Sequence, residues 1–380
     1  MINIGLIGTG YIGPIHLNAL ARVGGVRVKR VADVNGELAR KAAADYNIEQ
    51  SGTDWREVVR DPGIDVIHNC TPNKYHFEIN REALNQGKQV FTEKPLSMNL
   101  KEADELVNLA EKKKAVTGIG FCYRYFPVVQ EMAARVRRGD AGAVRLATGS
   151  YFQDWLSREI DWSWRLLPSE SGPSNITADL GSHWFDLVQF ATGLRVTRVF
   201  GDLATLIPVR RRPKRQVIAF EKVEQVESEE VKVELEDYSA VLFRLSNGAA
   251  GSFTTSQTCA GRKSDTEFQI YGSKASFAWN HKEATVLWIG HREKPNEILI
   301  ENATLQDPAT ARYATLPAGH PQGYHDAMMN MFRDYYDDLQ GRNPPRAAPR
   351  ATFSTGREEM KILAAVLASH QAGAWMEVQE

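Results

Sequence analysis

The sequence predicts an α/β protein with two unlike domains: an N-terminal doubly wound parallel sheet, and a C-terminal α+β domain with a large, mostly antiparallel open sheet. Strands alternate with helices up to about residue 122, which is typical of a parallel sheet covered on both faces. Long strands dominate from residue 143 to residue 279, and a chain of 380 residues is longer than one core usually serves. We therefore expect domains at 1–122 and 123–380, with the last helices packed back on the first domain.

Local signals define the elements of the first domain. Residues 2–7 form an apolar run that ends at Gly8, as in a strand buried on both faces. Asn99, with Glu102 three residues later, forms a capping box for the last helix. The other predicted elements are strands at 26–34, 64–70 and 88–92, and helices at 36–46, 75–87 and 99–113.

The pattern changes after a helix predicted at 127–139. Asn247-Gly248 is a strong signal for a hairpin between two strands. The basic run 210–215 is followed by an acid-rich stretch to Asp237. We interpret both as edges of solvated strands, with a nucleic-acid or phosphate patch as the alternative. The predicted strands are 143–152, 196–207, 239–246, 249–256, 267–272 and 275–279, and the predicted C-terminal helices are 323–341 and 355–371.

Composition excludes several classes of function. Lys and Arg number 46 and Asp and Glu number 47, so the formal net charge is −1 and no global field attracts nucleic acid or a membrane. No apolar run approaches the roughly 20 residues that span a bilayer, and the N-terminal residues lack the features of a signal peptide. Cys70, Cys122 and Cys259 show no metal-type spacing. We expect free thiols in a cytoplasmic protein.

The first predicted strand runs directly into a glycine-rich turn, G-T-G-Y-I-G, which opens a helix. Its glycines allow a tight turn and close approach of a pyrophosphate to the backbone, and the helix N-terminus favours negative charge. Asp33 ends the second strand, where a carboxylate binds the ribose hydroxyls and repels a 2′-phosphate. This predicts a Rossmann domain that binds NAD, with NADP less favoured. The cofactor contacts expected here are Gly8, Gly10, Tyr11, Ile12, Gly13 and Asp33.

Glu93-Lys94-Pro95 stands at the end of another predicted strand. Parallel sheets bind ligands at the carboxyl ends of their strands, so Lys94 is a candidate to hydrogen-bond a substrate hydroxyl and stabilise a developing alkoxide. Pro95 restricts the backbone of the preceding residue to extended conformations. The alternative is a solvated lysine paired with Glu93.

Asp179 and His183 are four residues apart, a spacing that places two side chains on one face of a helix. Histidine titrates near neutral pH and suits a general base. Asp179 could orient it or bind substrate itself. A metal-binding pair and a buried structural histidine are the alternatives, but no third ligand has recognisable spacing, so we predict no metal.

Four stretches carry a resemblance to the glucose–fructose oxidoreductase / inositol dehydrogenase (Gfo/Idh/MocA) family of sugar dehydrogenases. They are GLIGTGYIGPIH, CTPNKYHFEINREALNQGKQVFTEKPL, ADLGSHWFDLVQFATG and YGSKASF. The resemblance covers nearly the whole chain. It implies NAD as cofactor, a sugar or polyol substrate, no metal, and a homodimer or homotetramer formed through the open sheet.

The resemblance also implies contacts for individual residues. Trp164 and Arg165 match a pair that lines the nicotinamide pocket, and His320 lies in a loop that would reach over the sugar. Arg124 and Tyr125, which follow the last strand of the first domain, are expected at the mouth of the cleft. The remaining cofactor candidates are Thr71, Asn73, His76, Glu93, Lys94 and Arg124, and the substrate candidates are Lys94, Tyr125, Gln153, Asp179, His183 and His320.

These observations predict an NAD-dependent dehydrogenase that oxidises a secondary hydroxyl of a sugar, a levoglucosan-like anhydrosugar or a cyclitol. His183 would take the hydroxyl proton, Lys94 would stabilise the oxyanion, and Asp179 would orient His183 or a neighbouring hydroxyl. Three alternatives remain: an inositol dehydrogenase, an NAD-dependent glycosidase in which oxidation precedes elimination, and a non-catalytic NAD-sensing regulator.

Overall fold

The first sheet of the protein is parallel throughout and has six strands. The computed structural model describes residues 1–215, 217, 221 and 226–379. The strands are β1 (Ile2–Ile7), β2 (Val26–Ala32), β3 (Gln50–Gly52), β4 (Val66–Asn69), β5 (Gln89–Thr92) and β6 (Thr117–Ile119). Their order is β3-β2-β1-β4-β5-β6, the strand order of a dinucleotide-binding Rossmann sheet. The predicted doubly wound sheet is confirmed.

Five helices cover the two faces of this sheet: α1 (Ile12–Leu20), α2 (Gly36–Asp45), α3 (Trp55–Arg60), α4 (His76–Asn85) and α5 (Leu100–Lys113). Asn99 caps α5 by accepting from the backbone N–H of Glu102 at 3.0 Å, as its sequence predicts. The sequence did not predict β3 and α3, because three polar strand residues and six helical residues are too few to show a periodicity.

The second sheet is mixed and has nine strands, which accords with the predicted large, mostly antiparallel sheet. Its strands are β7 (Val144–Phe152), β8 (Val196–Ala204), β11 (Tyr238–Leu245), β12 (Ala250–Ser256), β13 (Asp265–Gly272), β14 (Ala275–Asn280), β15 (Val286–His291), β16 (Glu297–Ile300) and β17 (Met376–Glu377). Their order is β16-β15-β14-β13-β7-β12-β11-β8-β17. Within this sheet, only the β7–β12 pair is parallel among the described strands, and Asn247-Gly248 joins β11 to β12 as an antiparallel hairpin.

One face of this sheet packs on helices and forms the larger core. The helices of this part are α6 (Pro127–Arg138), α7 (Pro168–Ser171), α8 (Ser182–Thr192), α9 (Tyr324–Leu339) and α10 (Phe353–Ala372). Trp184 of α8 is fully buried between Phe253 and Phe268 of the sheet. Helix α9 packs on α1, and α10 packs on both α5 and β8. The two C-terminal helices therefore join the two sheets.

The basic run forms a separate two-stranded ribbon. Strand β9 (Val209–Pro213) pairs in antiparallel register with β10 (Ser228–Lys232), so Arg212 lies opposite Glu229. Most residues of this pair are exposed, as the solvated-strand interpretation expects, but Arg210 is fully buried and pairs with Asp237. The central part of the predicted acid-rich stretch lies outside the described residues. Among the helices that the structure describes, none is long and apolar enough to cross a membrane.

Candidate active site

A cavity of about 1320 Å³ opens where the carboxyl ends of the parallel strands face the second sheet. Its walls come from both parts of the chain. The glycine turn and Asp33 lie at one end, while His183 and His281 lie at the other. Such a crevice beside the point where the strand order reverses is the usual ligand site of a doubly wound sheet.

The glycine turn leaves room for a ligand on one side and packs tightly on the other. Gly8 has φ +92°, and a Cβ there would lie 2.6 Å from the carbonyl oxygen of Cys70. A Cβ on Gly13 would lie 2.2 Å from the carbonyl oxygen of Gly8, whereas one on Gly10 would meet no atom within 4 Å. Gly8, Gly10, Tyr11 and Ile12 line the cavity. Gly13 does not, because it packs α1 against the turn. The cradle fits a pyrophosphate.

Asp33 lies on the cavity wall at the end of β2. Its Oδ2 accepts from the backbone N–H of Thr9 at 2.6 Å, and its Oδ1 accepts from the backbone N–H of Asn35 at 2.8 Å. The carboxylate is therefore oriented by the turn on one side and by the start of α2 on the other. Its remaining lone pairs can accept from ribose hydroxyls.

Lys94 and Asp179 meet across the domain boundary at the wall of the cavity. Lys94 Nζ donates to Asp179 Oδ1 at 2.6 Å and to the Asp179 carbonyl oxygen at 2.8 Å. The Lys94–Pro95 peptide bond is cis. A lysine ammonium has three N–H groups, so one remains for a ligand oxygen.

Three donor side chains, those of Lys94, Gln257 and Arg165, contact the carboxylate of Asp179. Its Oδ2 accepts from Gln257 Nε2 at 3.0 Å and lies 3.3 Å from Arg165 Nε. Burial alone would raise the pKa of Asp179, but the charges of Arg165 and Lys94 outweigh burial and hold the pKa below its ordinary value. Asp179 lies in a π-turn spanning Thr177–Gly181 and makes no hydrogen bond to His183. It orients Lys94 rather than the histidine.

His183, in the first turn of α8, faces the same cavity. Its ring packs edge-on against Tyr123, with 5.0 Å between ring centroids, and its buried Nδ1 has no hydrogen-bond partner among the described residues. Burial and the charge of Lys94 lower the pKa of His183 well below 6.5, although Asp179 opposes them. The imidazole is therefore neutral at neutral pH and can accept a proton.

Most of the other cofactor candidates also lie on this wall: Thr71, Asn73, Glu93, Trp164 and Arg165. Asn73 Nδ2 donates to the carbonyl oxygen of Ser171 at 3.1 Å, which ties the strand-end turn to the second domain. The guanidinium of Arg165 stacks on the Trp164 ring at 4.5 Å from its centroid. Gln153, a substrate candidate, lines the cavity and has a buried Oε1 without a partner among the described residues.

Besides Gly13, four candidates are not brought to the cavity. Arg124 is buried in an ion pair with Asp186 of α8, its Nε donating to Oδ2 at 2.6 Å. Tyr125 is buried beside Tyr313 in the core. His320 is exposed, with Nδ1 3.2 Å from the carbonyl oxygen of Pro317. The expectations that these three residues contact ligand are corrected accordingly.

His76 is the fourth, and it supports the site from behind. Its Nε2 lies 2.8 Å from the carbonyl oxygen of Thr71, and its Nδ1 lies 2.7 Å from that of Pro95. The ring is fully buried, so it holds together the turns that follow β4 and β5 and does not contact a ligand.

Sequence reasoning missed the aromatic half of the cavity, which includes Tyr123, Tyr151, Trp155, His281 and Tyr324. Tyr123 is one residue from the predicted Arg124, and the 3-10 turn Cys122–Tyr125 decides which side chain points inward. Tyr324 lies four residues after His320, at the start of α9, so the sequence indicated the correct segment but not the correct residue. His281 carried no local signal.

Comparison with known proteins identifies the chain. Residues 2–121 match the model described as the oxidoreductase family, NAD-binding Rossmann fold, and residues 129–278 match the GFO/IDH/MocA C-terminal domain. The chain belongs to the GFO/IDH/MocA oxidoreductase family. As a member of this family it is an NAD-binding oxidoreductase, as the glycine turn and Asp33 predict.

Two kinds of named relative share this family architecture. Levoglucosan dehydrogenase of Pseudarthrobacter phenanthrenivorans is 31% identical over 76% of this chain and 76% of that enzyme. Myo-inositol 2-dehydrogenase of Thermotoga maritima is 27% identical over 75% of this chain and 78% of that enzyme. A solved levoglucosan dehydrogenase in complex with NADH and levoglucosan superposes with a TM-score of 0.88 at 25% identity, covering 100% of both chains.

Proposed function

We propose that this oxidoreductase oxidises a secondary hydroxyl of a sugar, anhydrosugar or cyclitol to a ketone, with NAD as the hydride acceptor. One observation carries the proposal. A lysine with one uncommitted N–H and a neutral histidine share the cavity whose far end is the glycine turn. Those are the groups that alcohol oxidation requires: a base for the hydroxyl proton and a donor for the developing oxyanion.

Each side chain has its own role in the proposed oxidation. His183 accepts the hydroxyl proton, which its lowered pKa permits at neutral pH. Lys94 donates to the same oxygen and stabilises its negative charge. Asp179 holds the ammonium group through two contacts and so fixes the direction of the third N–H. NAD⁺, when bound, accepts the hydride.

The substrate end suits a compact polyol. Aromatic rings of Tyr123, Tyr151 and Trp155 lie beside polar groups of Gln153 and Ser264. Aromatic faces pack on C–H groups while amides and hydroxyls bind hydroxyls, which is the mixture a sugar presents. The levoglucosan and inositol dehydrogenases among the relatives support both a pyranose and a cyclitol. We favour a levoglucosan-like pyranose because, of these two relatives, the levoglucosan dehydrogenase has the higher identity, 31% against 27%.

The experiment is NADH formation with a panel of inositols, aldoses and anhydrosugars. The proposal expects NADH and a stoichiometric ketone from at least one member. Release of an aglycone without net NADH would instead identify an NAD-dependent glycosidase. Tight NAD⁺ binding without turnover of any panel member would identify an NAD-sensing regulator and contradict the proposal.

We also propose a homodimer or homotetramer formed through the uncovered face of the nine-stranded sheet. A cross-strand row on that face is in register: Phe200, Leu242, Ser252, Thr148, Gln269, Ala278, Trp288 and Ile298. Leu242 and Ile298 are 49% and 59% exposed, and exposed apolar side chains such as these are typical of an interface. The middle of the row is polar.

Light scattering tests the oligomer. Leu242→Lys should dissociate it, whereas Leu206→Lys, an equally exposed leucine outside the row, should not. A wild-type monomer contradicts the proposal.

The free thiols of Cys70, Cys122 and Cys259 support a reducing, cytoplasmic location.

A further inference from the structure

Behind the cavity wall, four side chains from four elements are joined end to end. Tyr336 of α9 lies 2.8 Å from His68 Nε2 on β4, and His68 Nδ1 lies 3.1 Å from His16 Nδ1 on α1. His16 Nε2 then lies 2.9 Å from Glu93 Oε1, after β5. Tyr336, His68 and His16 are fully buried, and Glu93 reaches the cavity. The mechanism proposed above uses none of the first three.

The hydrogen-bond geometry fixes the direction of this chain. A carboxylate only accepts, so His16 Nε2 carries a hydrogen and, in the neutral ring, Nδ1 is an acceptor. His68 Nδ1–H then donates to His16, and the Tyr336 hydroxyl donates to His68 Nε2. In this arrangement every polar hydrogen has an acceptor. The reverse direction leaves the Tyr336 hydroxyl hydrogen without an acceptor among the described residues and requires either a doubly protonated His16 or a protonated Glu93.

The protonation states of His68 and of the adjacent Cys70 are consistent with this direction. Burial, together with His16, lowers the pKa of His68 well below 6.5, so His68 is neutral and has one donor and one acceptor. The Sγ of Cys70 lies 3.3 Å from His16 Nδ1. Burial and Glu93 raise the pKa of the Cys70 thiol well above 9, so the thiol stays protonated and places no negative charge beside His16.

We propose that Tyr336, His68 and His16 are positioning residues whose one-way hydrogen-bond chain fixes the His16 tautomer that holds Glu93 against the cavity wall beside Lys94. Glu93 Oε2 in turn accepts from the backbone N–H of Lys94 at 3.3 Å. The chain therefore transmits order from a C-terminal helix to the strand end that carries the reactive lysine.

This inference rests on the proposed function in one respect, the effect on cofactor. A carboxylate fixed on the wall beside Lys94 favours the positively charged oxidised nicotinamide over the neutral reduced ring. The chain should therefore raise the affinity for NAD⁺ relative to NADH. The tautomer of His16 is independent of any substrate or cofactor.

The first experiment is nitrogen-15 NMR of the full-length protein labelled at histidine, without cofactor, with the His16 signal assigned from a His16→Asn variant. Wild-type His16 should be the neutral Nε2–H tautomer. Tyr336→Phe, which removes the hydroxyl alone, should populate the Nδ1–H tautomer. Tyr335→Phe is the matched control: it removes a buried hydroxyl of the adjacent residue, which donates to the Val116 carbonyl oxygen at 3.2 Å, and should leave the spectrum unchanged.

The second experiment measures dissociation constants for NAD⁺ and NADH by calorimetry. Tyr336→Phe should weaken NAD⁺ binding by about 3- to 10-fold, the loss expected for one buried hydrogen bond, with NADH binding unchanged. Glu93→Gln keeps the acceptor for His16 and removes the charge, so it should abolish the preference for NAD⁺ while His16 keeps the Nε2–H tautomer.

The wild-type spectrum is decisive even if a variant does not fold. An Nδ1–H or doubly protonated His16 overturns the proposal, as does a Tyr336→Phe spectrum identical to that of Tyr335→Phe. Failure of the proposed function would appear separately, as absence of NADH formation with the polyol panel while the His16 tautomer responds to Tyr336→Phe as stated.

Discussion

The two ends of the cavity are built in different ways. At the cofactor end, one short turn and one strand-end carboxylate, Gly8 to Gly13 and Asp33, shape the wall largely through the backbone. At the opposite end, the wall consists of side chains from several segments that are far apart in sequence, including Tyr123, Gln153 and His281. Cofactor recognition is therefore local in sequence, whereas substrate recognition exists only after the two sheets have come together.

The largest effect that tests this contrast is loss of the base. His183→Asn removes the proton acceptor while leaving the glycine turn intact, so kcat should fall by about 10²–10⁴-fold with NAD⁺ affinity unchanged. Steady-state kinetics with a reactive polyol and a fluorescence titration of NAD⁺ measure the two quantities. A kcat close to that of the wild-type would remove His183 from this role.

Loss of the oxyanion donor should lower kcat nearly as much as loss of the base. Lys94→Met is expected to lower kcat by about 10²–10³-fold, because no other group shares its position on the wall. Lys74→Met provides the control, since it breaks a lysine–carboxylate pair of the same 2.6 Å length, with Glu170, without removing a cavity-wall residue. Equal losses in both variants would mean that Lys94 acts through stability alone.

The complementary substitution is at the cofactor end of the cavity, at Asp33. Asp33→Ala should raise the dissociation constant for NAD⁺ by about 10- to 100-fold, since hydrogen bonds to a charged group contribute roughly 1.5–3 kcal/mol, while kcat at saturating NAD⁺ persists. Thr9 and Asn35 donate to different oxygens of Asp33, so Asp33→Asn removes the charge and keeps an acceptor for only one of the two N–H groups. If kcat fell and NAD⁺ affinity did not, the proposed division of the cavity would be reversed.

A smaller effect is expected from the amide at the substrate end. Gln153→Ala removes an Oε1 that has no partner among the described residues, and it should raise the KM for substrate by about 2- to 10-fold, the range of one neutral hydrogen bond. Binding of NAD⁺ should not change, and calorimetry checks this. An effect on NAD⁺ alone would assign Gln153 to the cofactor instead.

The smallest effect concerns pH. Burial lowers the pKa of His183 below 6.5, and the base works only when unprotonated, so the acid limb of kcat/KM should lie at a lower pH than for an unperturbed histidine. The profile should stay flat as the pH falls to 6.5 and decline only below that value. A limb at or above pH 6.5 contradicts a buried, neutral base flanked by Lys94.

The same contrast explains what the sequence could predict. Asp33, Lys94 and Asp179 follow strands or open a helix with a recognisable pattern, and they line the cavity. Tyr151 and His281 have no local signature, because their position depends on how β7 and β14 meet the turn at Tyr123. For Arg124 the prediction from the sequence was wrong. Its place at a domain boundary suggested a ligand contact, but it is buried in an ion pair with Asp186 that only the tertiary fold reveals.

The central claim is that a single cavity receives the dinucleotide across the glycine turn and brings its nicotinamide to Lys94 and His183. A crystal structure with NAD⁺ tests it most directly. The account predicts the pyrophosphate against Gly10 and the nicotinamide in the pocket bounded by Lys94 and His183. A nicotinamide bound elsewhere, with Lys94 and His183 facing only solvent, would contradict it.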